Sequence, residues 1–133
     1  MIALIGIGNF CSQIVNSFAK YPQYTIYNIC TQKFNDKTNI IPVFKNAEEY
    51  EKNYPLALNN IIEENIEEMC VFVDGSEAIS GIVLRFLENY KNKNINIYYL
   101  RSDMEMNGNI EKLQDKITFI YCKNIRVLVY LIK

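Results

Sequence analysis

The stretch Ile2-Ala3-Leu4-Ile5-Gly6-Ile7-Gly8-Asn9-Phe10-Cys11-Ser12-Gln13-Ile14-Val15-Asn16-Ser17-Phe18 decides the fold. Residues 2–7 form an apolar run bounded by glycine, the pattern of a strand buried on both faces. Cys11, Ile14, Val15 and Phe18 recur at helical spacing, with Ser12, Asn16 and Lys20 facing away. Residues 9–20 are therefore expected to be a helix, and Pro22 marks its stop. Between strand and helix lies Gly6-Ile7-Gly8-Asn9. Glycines let backbone N–H groups approach phosphate oxygens, and a helix start adds a favourable dipole. Taken alone, Gly-x-Gly also reads as a tight turn and nothing more.

Residues 71–90 repeat the plan. Cys70–Val73 is an apolar strand, Asp74-Gly75-Ser76-Glu77-Ala78 is a turn, and Ile79, Ile82, Val83, Phe86, Leu87 and Tyr90 form a helical stripe. Ser76 and Ser80 supply hydroxyl donors beside Gly75 and Gly81. The plainer alternative is a serine cap on an ordinary helix.

Between these units, Tyr24–Cys30 reads as a second strand. Residues 31–46 are loop-like, with a short edge strand expected around Ile40–Phe44, where Pro42 intervenes. Ala47 to Glu68 carries a helical pattern split at Pro55. Tyr54, Leu58, Ile61, Ile62 and Ile66 make its apolar face, and Glu63, Glu64, Glu67 and Glu68 its solvated one. Ile95–Leu100 is a further strand, residues 110–117 a further helix, and Phe119–Tyr121 and Arg126–Ile132 are apolar and β-prone. An apolar run such as Val127–Ile132 must be tied down, and a chain cut there from a longer domain would expose an apolar edge and associate. The expected architecture is one α/β domain over residues 1–133: a three-layer, Rossmann-like parallel sheet with helices on both faces. Ligands bind such sheets at the carboxyl ends of the strands, where both glycine turns fall.

Composition narrows the function. The chain has 133 residues, half of them hydrophobic, and a net charge of −1 with the two signs interspersed. That argues against a nucleic-acid partner, which selects a basic patch. No apolar stretch approaches the roughly 20 residues of a membrane helix, and the start of the chain lacks a basic leader region. The expected location is the cytoplasm. Cys11, Cys30, Cys70 and Cys122 are scattered, so they give no zinc pattern and read as reduced, mostly buried thiols. There is no histidine. This removes Ser-His-Asp and Cys-His catalysis and histidine metal ligands.

A dinucleotide is the first ligand that Gly6-Ile7-Gly8 suggests. Two features oppose it. Cys11 stands at the third glycine position of GxGxxG, and the second strand ends Cys30-Thr31-Gln32, with no acid there for the ribose hydroxyls. Asp36 lies too far into the loop. No GxxxxGK[ST] sequence is present, so the chain is not a P-loop NTPase.

In these turns the chain resembles the tubulin/FtsZ superfamily. Tubulins continue their first glycine loop with a G-N-Q-I-G-x-x-F-like stretch, and Gln13, Ile14 and Phe18 match it. The N-N-A-V-N of FtsZ is matched by Val15 and Asn16. The family then has an acidic segment, here Glu63–Glu68, an apolar strand, here Cys70–Val73, and the signature G-G-G-T-G-[ST]-G. That signature aligns with Gly75-Ser76-Glu77-Ala78-Ile79-Ser80-Gly81, where Glu77 and Ile79 replace glycines. The resemblance follows strand and helix order over roughly residues 1–115.

It implies that Gly6, Gly8, Asn9, Ser12 and Gln13 lie near a guanine nucleotide, and that Gly75, Ser76, Ser80 and Gly81 cradle its phosphates. It also implies GTP or GDP as ligand, Mg²⁺ as the accompanying ion, and self-association into a polymer. The family's acidic catalytic loop lies beyond the matched region, so hydrolysis is expected to be weak or absent and no catalytic residue is assigned. Asp74 and Asp103 read as turn residues. A carboxylate at 77 either repels phosphate or merely favours a helix dipole. Two alternatives stay open: an NAD(P)-binding Rossmann-type oxidoreductase domain, and a non-enzymatic assembly module that binds no nucleotide.

Overall fold

The computed structural model describes residues 1–100 and the backbone of residues 128–132. The expected helix at 110–117, the strand at 119–121, Asp103 and Cys122 lie outside the described residues. Strand β1 (Ile2–Ile7) leads into helix α1 (Asn9–Asn16), and β2 (Tyr24–Cys30) into the two-residue β3 (Asn39–Ile40). Helix α2 (Ala47–Lys52) and a 3₁₀ turn (Leu56–Asn60) precede β4 (Glu68–Asp74). A second 3₁₀ turn (Ala78–Ile82) runs into α3 (Val83–Glu88), followed by β5 (Asn94–Leu100) and β6 (Leu128–Ile132).

The strands form one sheet in the order β3-β2-β1-β4-β5-β6, every pair parallel. Strand β1 is central, with Ile2 opposite both Tyr24 and Glu68. Alternation along the strands sorts the side chains. Ala3, Ile5, Ile7, Met69, Val71, Val73, Ile95, Ile97 and Tyr99 point to the larger core, where Tyr50, Leu58, Ile82, Phe86 and Leu87 cover them. Leu4, Cys70, Ile26, Phe72 and Tyr98 point to the other face, where Val15 and Phe18 meet the first three and Phe72 stacks on Tyr98 at 4.7 Å. This is the Rossmann-like sheet with helices on both faces that the alternation of patterns called for.

Helix α1 is shorter than its periodicity. It ends at Asn16, and residues 17–20 continue as turns, with the Ser17 hydroxyl donating to the Ile14 carbonyl at 2.6 Å. Ser12, expected to face away, is fully buried. The reason is Gly6. A Cβ there would stand 2.6 Å from the Cys11 carbonyl oxygen, so α1 lies directly on the β1 backbone. The Ser12 hydroxyl donates to the Gly6 carbonyl at 3.3 Å.

The helix expected before β4 breaks up after Lys52. Asn46 caps α2 by accepting from the Glu49 N–H at 2.9 Å. Pro55, extended at ψ 115°, ends the helical path, and residues 61–67 are irregular. Tyr54, Leu58, Ile62 and Ile66 are nevertheless buried, as their hydrophobicity demands. Other elements satisfy the backbone that the missing helix leaves open. The Tyr90 hydroxyl donates to the Leu58 carbonyl at 2.7 Å and accepts from the Ile62 N–H at 3.5 Å. The Lys93 ammonium donates to the carbonyls of Glu63, Glu64 and Ile66. Glu68 begins β4 instead of ending a helix.

Candidate functional site

The parallel sheet brings the loops after β1 and β4 to one edge, because both strands end there side by side. The first turn is built by Gly8. Its φ of +94° is open to glycine at little cost, and its N–H donates to the Ile29 carbonyl at 2.8 Å, tying the turn to the end of β2. Gly8 is also the cap residue of α1, and it has no side chain with which to cap that helix. Its leading N–H groups therefore face the sheet edge without a local partner.

The second turn folds around Asp74. One of its carboxylate oxygens accepts from the Ser76 N–H at 3.0 Å and from the Ser76 hydroxyl at 2.7 Å. The Glu77 N–H donates to the Asp74 carbonyl at 3.2 Å, and the Ser80 N–H to the Glu77 carbonyl at 3.0 Å. The stripe from Ile79 to Tyr90 is buried as expected, but its first turn is 3₁₀.

The two turns meet through Glu77. Its Oε2 lies 2.5 Å from the point a Cβ on Gly8 would occupy, and the Ile79 side chain 3.1 Å from it. The N–H groups of Asn9 and Phe10, the first two residues of α1, donate to the Glu77 carboxylate. A carboxylate from one phosphate-loop candidate thus caps the helix of the other. Burial pushes its pKa above the ordinary glutamate range, the Asp74 charge pushes the same way, and the two N–H groups oppose both. Buried Cys11 feels the same field: burial first, then Asp74 and Glu77, raise its thiol far from reactivity. Cys30 and Cys70 are likewise buried, free and raised by burial.

The residues marked in the sequence take different places. Gly8 and Asn9 form the junction itself. Asn9 Oδ1 is buried and has no hydrogen-bond partner among the described residues. Gly6 and Ser12 lie beneath the turn as the contact between β1 and α1. Gln13 is exposed on α1. Ser76 is half-buried at the edge, whereas Gly75, Ser80 and Gly81 are buried. The Cβ position of Gly81 is filled by the backbone of Ala47. Sequence reasoning passed over Glu77 as a group that acts on another helix. Its signal was present, since it is the charged residue standing where the family signature has glycine.

Other features bear on the ligand class. Strand β2 ends at Cys30, and Asp36 pairs with Lys33 at 3.2 Å with its side chain 97% exposed, so β2 and its following loop supply no acid of their own at the strand tip. No group of three or more metal-ligating side chains occurs among the described residues. No helix among them is long and apolar enough to cross a membrane. A cleft of about 730 Å³ lies elsewhere, beside the N-terminal half of β2, between Asn16, Tyr24, Tyr27, Lys37 and Glu63.

No protein-family model matches the chain. No curated protein matches it either. Solved structures do. The chain is similar to CetZ from Methanosaeta thermophila, with a TM-score of 0.70 and 14% identity over 98% of this chain and 45% of that one. It is similar to TubZ of Clostridium botulinum phage c-st, with a TM-score of 0.63 and 18% identity over 92% of this chain and 46% of that one. A dTDP-glucose 4,6-dehydratase from Bacillus anthracis, solved in complex with NAD, follows at 0.52 and 15% identity, over 98% of this chain and 54% of that one. The chain spans a little under half the length of CetZ and of TubZ. Its fold is the Rossmann-like α/β sheet in its tubulin/FtsZ-like form.

Proposed function

We propose that the chain is a divergent tubulin/FtsZ-like protein that binds a guanine nucleotide at the edge where the β1 and β4 turns meet, and that self-associates. One observation carries the reading: the start of α1, which Gly8 leaves without a local cap, takes an anion, the Glu77 carboxylate, on the N–H groups of Asn9 and Phe10. A carboxylate is a stand-in for a phosphate oxygen there, so the donor set suits phosphate chemistry. The buried, unpartnered Asn9 Oδ1 adds an acceptor for a ligand donor. Gly8 adds no side chain of its own to the approach, and the second turn holds the Ser76 hydroxyl, which donates to Asp74, at the same edge. The likeness in fold to CetZ and TubZ favours the guanine nucleotide over other phosphates. The end of β2, which supplies no acid of its own for ribose hydroxyls, speaks against the NAD(P) alternative.

Binding comes before chemistry in this reading. Asp74 is engaged in its turn and Glu77 caps α1, so neither is assigned to activating water. A bound Mg²⁺ would neutralise phosphate charge beside these two carboxylates. Hydrolysis would draw its acidic group from a partner subunit.

The test is a thermal-shift screen of the wild-type protein with millimolar GTP, GDP, ATP and NAD, with and without Mg²⁺. A ligand at 100 times its Kd stabilises by about 2.7 kcal/mol, well within reach of the method. A shift with guanine nucleotides, accompanied by GTP-dependent light scattering, supports the proposal. A shift with NAD alone replaces it by the dinucleotide reading.

A further inference from the structure

We propose that Glu77 is an internal competitor for the phosphate site: its carboxylate and an incoming phosphate group exclude each other at the start of α1. The inference rests on the nucleotide reading above and concerns the same site. Three observations place the two groups in one position. The carboxylate receives the N–H groups of Asn9 and Phe10, which a phosphate on this turn would need. Its Oε2 covers Gly8, the residue whose missing side chain would admit a ligand. It reaches there from the β4 turn, where its own N–H donates to the Asp74 carbonyl. Glu77 is thus anchored in the β4 turn at its backbone, while its carboxylate lies on the other turn.

The electrostatics make the exclusion strong. Asp74 already crowds the carboxylate with like charge. A polyphosphate arriving with Glu77 in place would add several more negative charges to that group. Entry therefore requires the Glu77 side chain to swing off α1, and the two N–H groups pass from carboxylate to phosphate. Neither a bond nor a proton need change hands. The site is closed at rest and opens only as far as the nucleotide outcompetes a tethered anion, which acts at high effective concentration.

The experiment compares wild type with Glu77→Gln and Glu77→Ala. Binding of GTP and of inorganic tripolyphosphate is measured by calorimetry at fixed pH and salt, and the amide resonances of Asn9 and Phe10 are followed by NMR. Circular dichroism checks that each variant folds, and the Gln variant, which keeps an acceptor for both N–H groups, guards against a folding failure of the Ala variant. The expected result is roughly tenfold tighter binding in both variants, the size set by removing one charge from a helix terminus. In wild type the two amides shift as ligand displaces the carboxylate. Equal GTP affinity in wild type and variants overturns the competition and leaves the nucleotide reading standing. Tripolyphosphate binding to the variants with no GTP preference supports the competition and removes the guanine reading. No binding of either probe to any of the three proteins overturns both.

Discussion

Gly81 and Ala47 touch backbone to backbone: a Cβ on Gly81 would run into the Ala47 carbonyl oxygen, with the Ala47 carbonyl carbon and Cα close behind. The contact joins α2 to the 3₁₀ turn after β4, two elements that the sequence separates widely. It also gives Gly81 a packing duty that a resemblance to a phosphate-binding signature does not reveal. Gly81→Ala should therefore destabilise by about 1–3 kcal/mol, since neither neighbour is a flexible side chain. Urea unfolding checks this. Loss of nucleotide binding in a Gly81 variant would by itself say little about phosphate contacts, and Ser76→Ala is the better probe of those.

Gly8→Ala meets two penalties. One is the backbone at φ +94° and ψ 171°, a region essentially reserved for glycine, which costs an alanine about 1–3 kcal/mol, and the other is the Glu77 carboxylate oxygen 2.5 Å from the new methyl. Only the second depends on Glu77. The cost of Gly8→Ala should fall in a Glu77→Ala background, with a coupling of about 0.5–3 kcal/mol in a double-mutant cycle. Full additivity would mean that Glu77 does not lie over Gly8.

The raised pKa of Glu77 sets a pH dependence whose sign is definite. The folded protein binds this proton more readily than the unfolded chain, so its stabilising effect is complete below the ordinary glutamate value and lost as pH rises through the folded one. Asp74, Cys11 and Cys30 are the titratable groups whose mutual charge effects with Glu77 are seen; both thiols are pushed upward and stay neutral in this window. Glu77→Gln should raise Tm at neutral pH, and its advantage should shrink on acidification towards pH values near the ordinary carboxylate range. A constant difference across that range would place the Glu77 carboxylate in water.

Tyr90→Phe removes the hydroxyl that joins the turn after α3 to Leu58 and Ile62. The Leu58 carbonyl loses its 2.7 Å donor in a buried setting. A cost of about 1–3 kcal/mol is expected, the usual penalty for a buried polar group left unpaired. Amide exchange should accelerate most at Ile62, whose N–H points to the same oxygen.

The strands were legible because burial on both faces writes continuous apolar runs. Residues 2–7, 24–30 and 95–100 fell within one residue of their observed bounds. Residues 54–66 were not. Their apolar residues recur at near-helical spacing and are buried as expected, yet the backbone is not helical, because Tyr90 and Lys93 supply donors and acceptors from far along the chain. Periodicity reports which side chains are buried and is silent on who satisfies the backbone. At the turns, Gly8 was legible as a turn residue, and the strand order placed it beside the β4 loop. The reach of Glu77 onto α1 was not legible. A sequence shows a charge and its own helix, whereas the helix Glu77 caps begins in the other turn.

The sheet order has a consequence for how the chain reaches this structure. The central strand β1 precedes the other described strands in the chain, but one of its two neighbours is β4, whose register sets Glu68 opposite Ile2. A nascent chain that has not yet emitted β4 holds only the β3-β2-β1 half of the sheet, with the backbone of β1 unpaired along one edge. Such long-range parallel pairing folds slowly, since a large loop must close before any contact rewards it. Fragments ending before β4 should thus need a chaperone, and the junction of Gly8 with Glu77 is among the last features to exist.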